Sequence, residues 1–408
     1  MKAQSRLLIA GSTVSQLGNW ANVTAVMIIL QQRHGAALVA LYFLSRTIAP
    51  YFLSRPLVGV VPGHLVGKAW ASSQVALVLI MFALAFWNQN TSLLITLLAA
   101  AGVLQSATSS WLMHIAEVTE PADRKALITA ISTGTSVAIV AGPGLGGVLS
   151  TWGGLLPVFL FDSATFAVSL LLVPWWRVPA PPPNEIPKRS ARETLLTSLL
   201  PIKPRIAGRV WPLVAAWIAF GLFGGLFTAI ETPVFSLVKG FGPDQIGAAI
   251  SAYGLGGLVV FLASTFFGFS NRYLSTSAIA LAGVIGWTLG ADWFLYAAFF
   301  VTGLGFALAN SSARVAFGDV FAESKVASSE GWAWVNQLSL STSVVSYFAA
   351  WMYFALNGRI EWIASTVLVL GGLCLAFGIS WDAQAAKAHN RAAAQMQAQS
   401  VDSGRPNL

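Results

Sequence analysis

The chain has 408 residues, of which 56% are hydrophobic and 9% are charged, and its mean hydropathy is +0.70. This composition excludes an ordinary soluble globular domain and predicts an integral membrane protein. The formal net charge of +8 does not indicate nucleic-acid binding, because the basic residues lie between apolar segments and form no separate basic domain.

Twelve apolar segments follow one another along the chain, in two sets of six. A bilayer core about 30 Å thick requires about 20 helical residues at a rise of about 1.5 Å each. We predict the first six spans at 7–31, 38–62, 70–88, 92–117, 127–150 and 155–176, and the next six at 210–236, 244–270, 275–291, 293–319, 328–355 and 361–381. Tryptophans at many of the ends support these boundaries, since their rings favour the headgroup level.

A basic, proline-rich stretch separates the two sets. We therefore divide the chain into an N-terminal bundle (1–176), a cytoplasmic linker (177–209), a C-terminal bundle (210–381) and a cytoplasmic tail (382–408). The predicted fold class is an all-α integral membrane protein with two pseudo-symmetric six-helix bundles. Short matches such as Ser109-Ser110 with Ser311-Ser312 fit two parallel repeats.

The loops differ strongly in basic residues. If the N-terminus lies in the cytoplasm, the segments on the cytoplasmic side hold seventeen Lys and Arg, and the loops on the other side hold three. The positive-inside rule then places both termini and the linker in the cytoplasm.

The fifth span contains Gly142-Pro143-Gly144-Leu145-Gly146-Gly147. This segment resembles the GPxxGG signature of the antiporters of the major facilitator superfamily. Pro143 removes one helical hydrogen bond, and Gly142, Gly146 and Gly147 permit close helix packing. The resemblance implies a twelve-helix major facilitator fold and transport by alternating access. A general small-residue packing motif is the alternative.

Other segments are similar to the branch of macrolide efflux pumps and the enterobactin exporter, a proton-antiporter branch for drugs and siderophores. They are the turn from Glu117 through Pro121 to Arg124, the acid Asp162 and the amphipathic linker stretch 195–200. The loop after span two departs from the family, because Gly63-His64 stands where the family has Asp-Arg.

Charged side chains inside spans are costly and are therefore candidates for function. Arg46, Asp162 and Glu231 share the outer half of the membrane. As a proton-coupling group, a carboxylate would exchange a proton while Arg46 approaches and withdraws. The alternative is a fixed Arg46–Asp162 ion pair that joins two helices.

A second group of ionisable residues lies toward the cytoplasmic ends of the spans. We predict that they form a salt-bridged gate, with solvated helix ends as the alternative. The group consists of Arg55, His114, Glu117, Arg124 and Arg314.

Polar residues with helical spacing mark a candidate substrate cavity. Spans one, four, seven and ten line the cavity in the resembled family, and span eleven carries a further polar stripe. The candidate cavity residues are Gln16, Asn19, Gln105, Trp111, Asn310 and Asn336. Hydrogen bonding between helices is the alternative role. Few charges and several aromatic residues suit an amphipathic organic substrate.

Catalytic and cofactor motifs are missing from the sequence. It has no phosphate loop, and its four His and one Cys lack metal-ligand spacing. We therefore expect no enzyme activity, cofactor, metal or nucleic-acid partner.

The sequence favours a monomeric secondary transporter of the bacterial inner membrane. We expect it to export a small amphipathic drug or siderophore in exchange for protons, so that substrate, protons and the lipid bilayer are its partners. An importer or facilitator of a small solute remains an alternative. A non-transporting receptor or scaffold is another, because the loop signatures are eroded.

Overall fold

The computed structural model describes residues 3–119, 124–177, 210–266, 273–289, 292–324 and 328–403. These residues form twelve α-helices and no β-strand. The first six are α1 (Ala3–His34), α2 (Ala36–Val60), α3 (Val66–Trp87), α4 (Thr91–Thr119), α5 (Arg124–Gly153) and α6 (Leu155–Leu172). The next six are α7 (Trp211–Pro233), α8 (Pro243–Phe266), α9 (Ser277–Leu289), α10 (Asp292–Glu323), α11 (Ser328–Ala355) and α12 (Ile360–Ser403).

Nine of the helices in the described ranges are long and apolar enough to cross a membrane. The other three are α1, α9 and α11. Helix α9 is short, with the apolar stretch Leu274–Thr288, whereas α1 and α11 carry the polar stripes noted in the sequence. Interior positions on a membrane helix tolerate polar groups that lipid-facing positions do not.

The two sets of six helices pack in the same pattern. In the first set α1 contacts α5 and α6, α2 contacts α4, and α3 contacts α4 and α6. In the second set α7 contacts α11 and α12, α8 contacts α10, and α9 contacts α10 and α12. The predicted all-α fold of two pseudo-symmetric six-helix bundles is therefore confirmed. The predicted linker, apart from Arg177, lies outside the described residues.

The two halves meet along two pairs of long helices, α5 with α8 and α2 with α11. The pairs are equivalent under the repeat, since α5 corresponds to α11 and α2 to α8. We name the end where α1 begins the inner end and the opposite end the outer end.

Helix α12 is longer than the predicted last span. It continues without a break through 44 residues. Just beyond the span, both carboxylate oxygens of Asp382 accept backbone N–H groups, from Leu274 and from Ser275, at 3.0 Å each. The acid thus satisfies two of the free donors at the start of the turn that leads into α9.

Candidate functional site

The glycine motif of α5 brings two neighbouring helices close. A Cβ added at Gly146 would overlap the Ala21 carbonyl of α1, and one at Gly147 would lie 2.5 Å from the Pro243 carbonyl of α8. The Gly144 N–H donates to the Ser251 Oγ of α8 at 2.9 Å. The motif therefore packs within its own half on one side and across the interface between halves on the other.

The second contact between halves uses larger side chains. The rings of Phe43 on α2 and Tyr347 on α11 stack with centroids 5.2 Å apart. Nearer the inner end, the Gln337 Nε2 donates to the Tyr51 Oη at 3.1 Å.

Two cavities lie between these contacts. The larger, the inner cavity, has a volume of about 540 Å³ and is lined by Trp217, Asn310 and Arg314 among others. The smaller, the outer cavity, has a volume of about 420 Å³ and is lined by Arg46 and Glu231 among others. Ile139 and Tyr253 line both, so the two cavities adjoin. Volumes of this size suit small organic ligands.

Arg46 is held by three neutral groups. Its Nη1 donates to the Tyr42 Oη at 3.1 Å, and its Nη2 donates to the Asn19 Oδ1 at 3.0 Å and to the Gln105 Oε1 at 2.6 Å. Within the described residues, no carboxylate oxygen lies within 4.0 Å of its nitrogens. The alternative of a fixed Arg46–Asp162 ion pair is not observed.

Asp162 lies outside both cavities. Its side chain is fully buried between α1 and α6, where the Asn22 Nδ2 donates to its Oδ2 at 2.6 Å. The Thr165 hydroxyl lies 3.4 Å from its Oδ1. A Cβ at Gly18 would overlap Thr165, so the small residue lets α1 approach this carboxylate.

Glu231 faces the outer cavity from α7. The residue is 7% exposed, and none of the described residues donates a hydrogen bond to its carboxylate. Two residues later Pro233 ends the regular helix, and a π-helical turn, Val234–Val238, follows. The cavity near it is lined by the rings of Phe227, Tyr253 and Tyr347.

The inner cavity contains a second arginine. The Arg314 Nε donates to the Asn310 Oδ1 at 3.3 Å, and its guanidinium lies 5.9 Å from the centre of the Trp332 ring. Asn336 lines the same cavity. Asn310 and Asn336, predicted for the substrate cavity, thus line the inner cavity together with Arg314, predicted for the gate.

The remaining predicted residues are dispersed. Gln16 and His114 are half-buried and line neither cavity. Trp111 is buried in an apolar cluster near the inner end. The side chains of Arg55, Glu117 and Arg124 lie outside the described part of the structure.

Sequence reasoning missed Tyr253, which lines both cavities together with Ile139. Tyr253 precedes Gly254, Gly256 and Gly257 in α8. Gly254 lets α8 approach α5, and Gly256 lets it approach α10. An aromatic residue next to a run of glycines in a span is a signal that could have identified it. Over the described ranges, no three His, Cys, Asp or Glu side chains are grouped to hold a metal.

A membrane protein with two repeated helical halves and cavities between them has the architecture of a secondary transporter. The family model described as "Major Facilitator Superfamily" matches residues 8–328, so the chain belongs to the major facilitator superfamily and is a multi-pass membrane transporter. No curated protein sequence matches the chain.

A similar solved structure is described as the crystal structure of a bacterial homologue of the iron transporter ferroportin in an outward-facing state. It is 14% identical, with a TM-score of 0.60, and the match covers 94% of this chain and 100% of that chain. At this identity the likeness supports the fold alone.

Proposed function

We propose that the protein exports a small amphipathic organic molecule, such as a drug or siderophore, in exchange for protons. The observation that supports this is Glu231, a buried carboxylate that faces an aromatic cavity between the halves. A carboxylate there can carry a proton in one state and a substrate cation in the other, which is the competition that antiport requires.

Transport would proceed by rocking of the bundle 1–176 against the bundle 210–381 about the central cavities. The contacts between α5 and α8 and between α2 and α11 are the interfaces that would slide or separate during this motion. We place the protein as a monomer in the bacterial inner membrane, with both termini and the linker 177–209 in the cytoplasm, because basic residues dominate the inner segments.

Purified protein in liposomes loaded with a pH-sensitive dye tests the coupling. Amphipathic drugs and siderophores are added under an imposed proton gradient, and we expect a substrate-dependent proton flux. The flux should be abolished in Glu231→Gln and kept in Glu361→Gln, whose carboxylate is exposed. Asp162→Asn is measured in parallel.

The outcomes separate the candidate functions. Loss of flux only in Asp162→Asn would move the coupling role to the acid between α1 and α6. Labelled-substrate flux without proton movement would identify a facilitator. If no compound in the panel produces either proton flux or labelled-substrate flux, the result would support a receptor or scaffold and contradict the proposal.

A further inference from the structure

Two opposite charges line the outer cavity without pairing. Arg46 reaches it from α2 in one half and Glu231 from α7 in the other. Among the described residues they are the only charged groups in its wall. Charged groups removed from solvent are ordinarily paired, yet these two form no ion pair within 4.0 Å in the wall of a cavity of about 420 Å³.

The surroundings of Arg46 leave donors free for an anion. A guanidinium has five N–H groups, and three of them go to the neutral acceptors Tyr42, Asn19 and Gln105. Arg46 therefore keeps two free N–H donors in the wall of the outer cavity, which suits a carboxylate or another oxyanion.

The surroundings of Glu231 suit a cation. Its carboxylate accepts no hydrogen bond from the described residues. The rings of Phe227, Tyr253 and Tyr347 share its cavity, and aromatic faces stabilise ammonium groups.

We infer that the outer cavity binds an aromatic zwitterion, with its anionic group at Arg46 and its cationic group at Glu231. This inference rests on the proposed transport function and names its substrate class. Such a ligand would neutralise the half-buried Arg46 and the buried Glu231, while its apolar body would contact the aromatic rings of the cavity. A singly charged ligand would leave one of the two charges unpaired.

Binding to detergent-solubilised protein tests the inference without any proton gradient. The probes are two biphenyl zwitterions, 4-phenyl-phenylalanine and 4′-(aminomethyl)biphenyl-4-carboxylate. Each is compared with its methyl ester (a cation), its N-acetyl derivative (an anion) and the doubly blocked neutral compound. We expect at least one zwitterion to bind about ten- to a hundredfold more tightly than its three derivatives. Equal binding of the four forms, or no binding of either zwitterion at millimolar concentration, would overturn the inference.

Variants assign the two ends. Arg46→Gln should reduce zwitterion and anion binding and leave cation binding unchanged. Glu231→Gln should reduce zwitterion and cation binding and leave anion binding unchanged. Arg46→Lys and Glu231→Asp keep the charge and should retain the order of preference. Arg359→Gln and Glu361→Gln, an exposed pair at the start of α12, should match the wild type.

The result is independent of the coupling measurement. A zwitterion preference without proton flux would support this site and contradict proton antiport. Proton flux driven only by cations, with no effect of Arg46→Gln, would support antiport and contradict the zwitterion site.

Discussion

At the scale of single residues, the two carboxylates predicted for proton coupling occupy different environments. Asp162 is enclosed by α1 and α6 and is bound by Asn22. Glu231 faces the cavity between halves and lacks a donor in the described structure. The Asn22 bond joins the enclosed acid to α1, whereas an acid on the cavity wall can meet substrate and solvent. The sequence placed both at similar depth and could not separate these roles.

The Asn22–Asp162 bond should therefore contribute to stability. Asn22→Ala leaves the carboxylate buried without its amide donor, which costs about 1–3 kcal/mol. We expect a lower melting temperature in detergent, and in a double-mutant cycle with Asp162→Ala the two losses should not add. Strictly additive losses would contradict the bond's role. Ser341→Ala, on a half-buried position of α11, serves as a control for an ordinary polar truncation.

At the scale of helices, the glycines of α5 set the distance to α1 and α8. The sequence indicated close packing, and the structure adds that Gly146 and Gly147 face different helices. Helix contacts in membranes depend on such small residues because lipid offers no hydrophobic gain for association.

Adding a single methyl group to a glycine of α5 that packs against a neighbouring helix should destabilise the protein. Gly146→Ala directs a Cβ into the Ala21 carbonyl, a backbone atom that cannot turn aside. We expect a clear drop in melting temperature and in transport rate. Gly372→Ala in α12 is the matched control, since a Cβ there meets no atom within 4 Å. Equal melting temperatures and transport rates of the two variants would show that α1 and α5 can separate easily to admit the methyl group.

At the scale of the whole molecule, the repeated packing of two halves defines how they can move. The contacts α5–α8 and α2–α11 are equivalent under the repeat, so a rocking motion that opens one end closes the other. Alternating access predicts that a covalent link across either contact stops transport.

A disulfide between α5 and α8 tests this motion. A Cβ at Gly144 would lie 3.1 Å from the Ser251 Oγ, so Gly144→Cys with Ser251→Cys brings two thiols within reach. The only native cysteine, Cys374, is first replaced by Ser. Oxidation should arrest flux, and reduction should restore it. Unchanged flux in the cross-linked protein would show that the halves do not part there; Ser251→Cys alone is the control.

The fold was predictable because hydropathy, span count and the GPxxGG segment all point to the same architecture. The site was only partly predictable. Asn19, Gln105 and Arg46 were each named from the sequence, but their mutual hydrogen bonds depend on helix rotation, which spacing alone does not determine. Tyr253 was missed because an aromatic residue in an apolar span gives no hydropathy contrast, although it lines both cavities.

The uninterrupted length of α12 also provides a means of imaging this small membrane protein. At about 1.5 Å per residue, its 44 residues extend well beyond a bilayer core of about 30 Å. Asp382 fixes the emerging helix to the turn before α9. A helical fusion partner spliced in register onto α12 would therefore project from the detergent micelle as a rigid marker, and electron cryomicroscopy could use it to align particles.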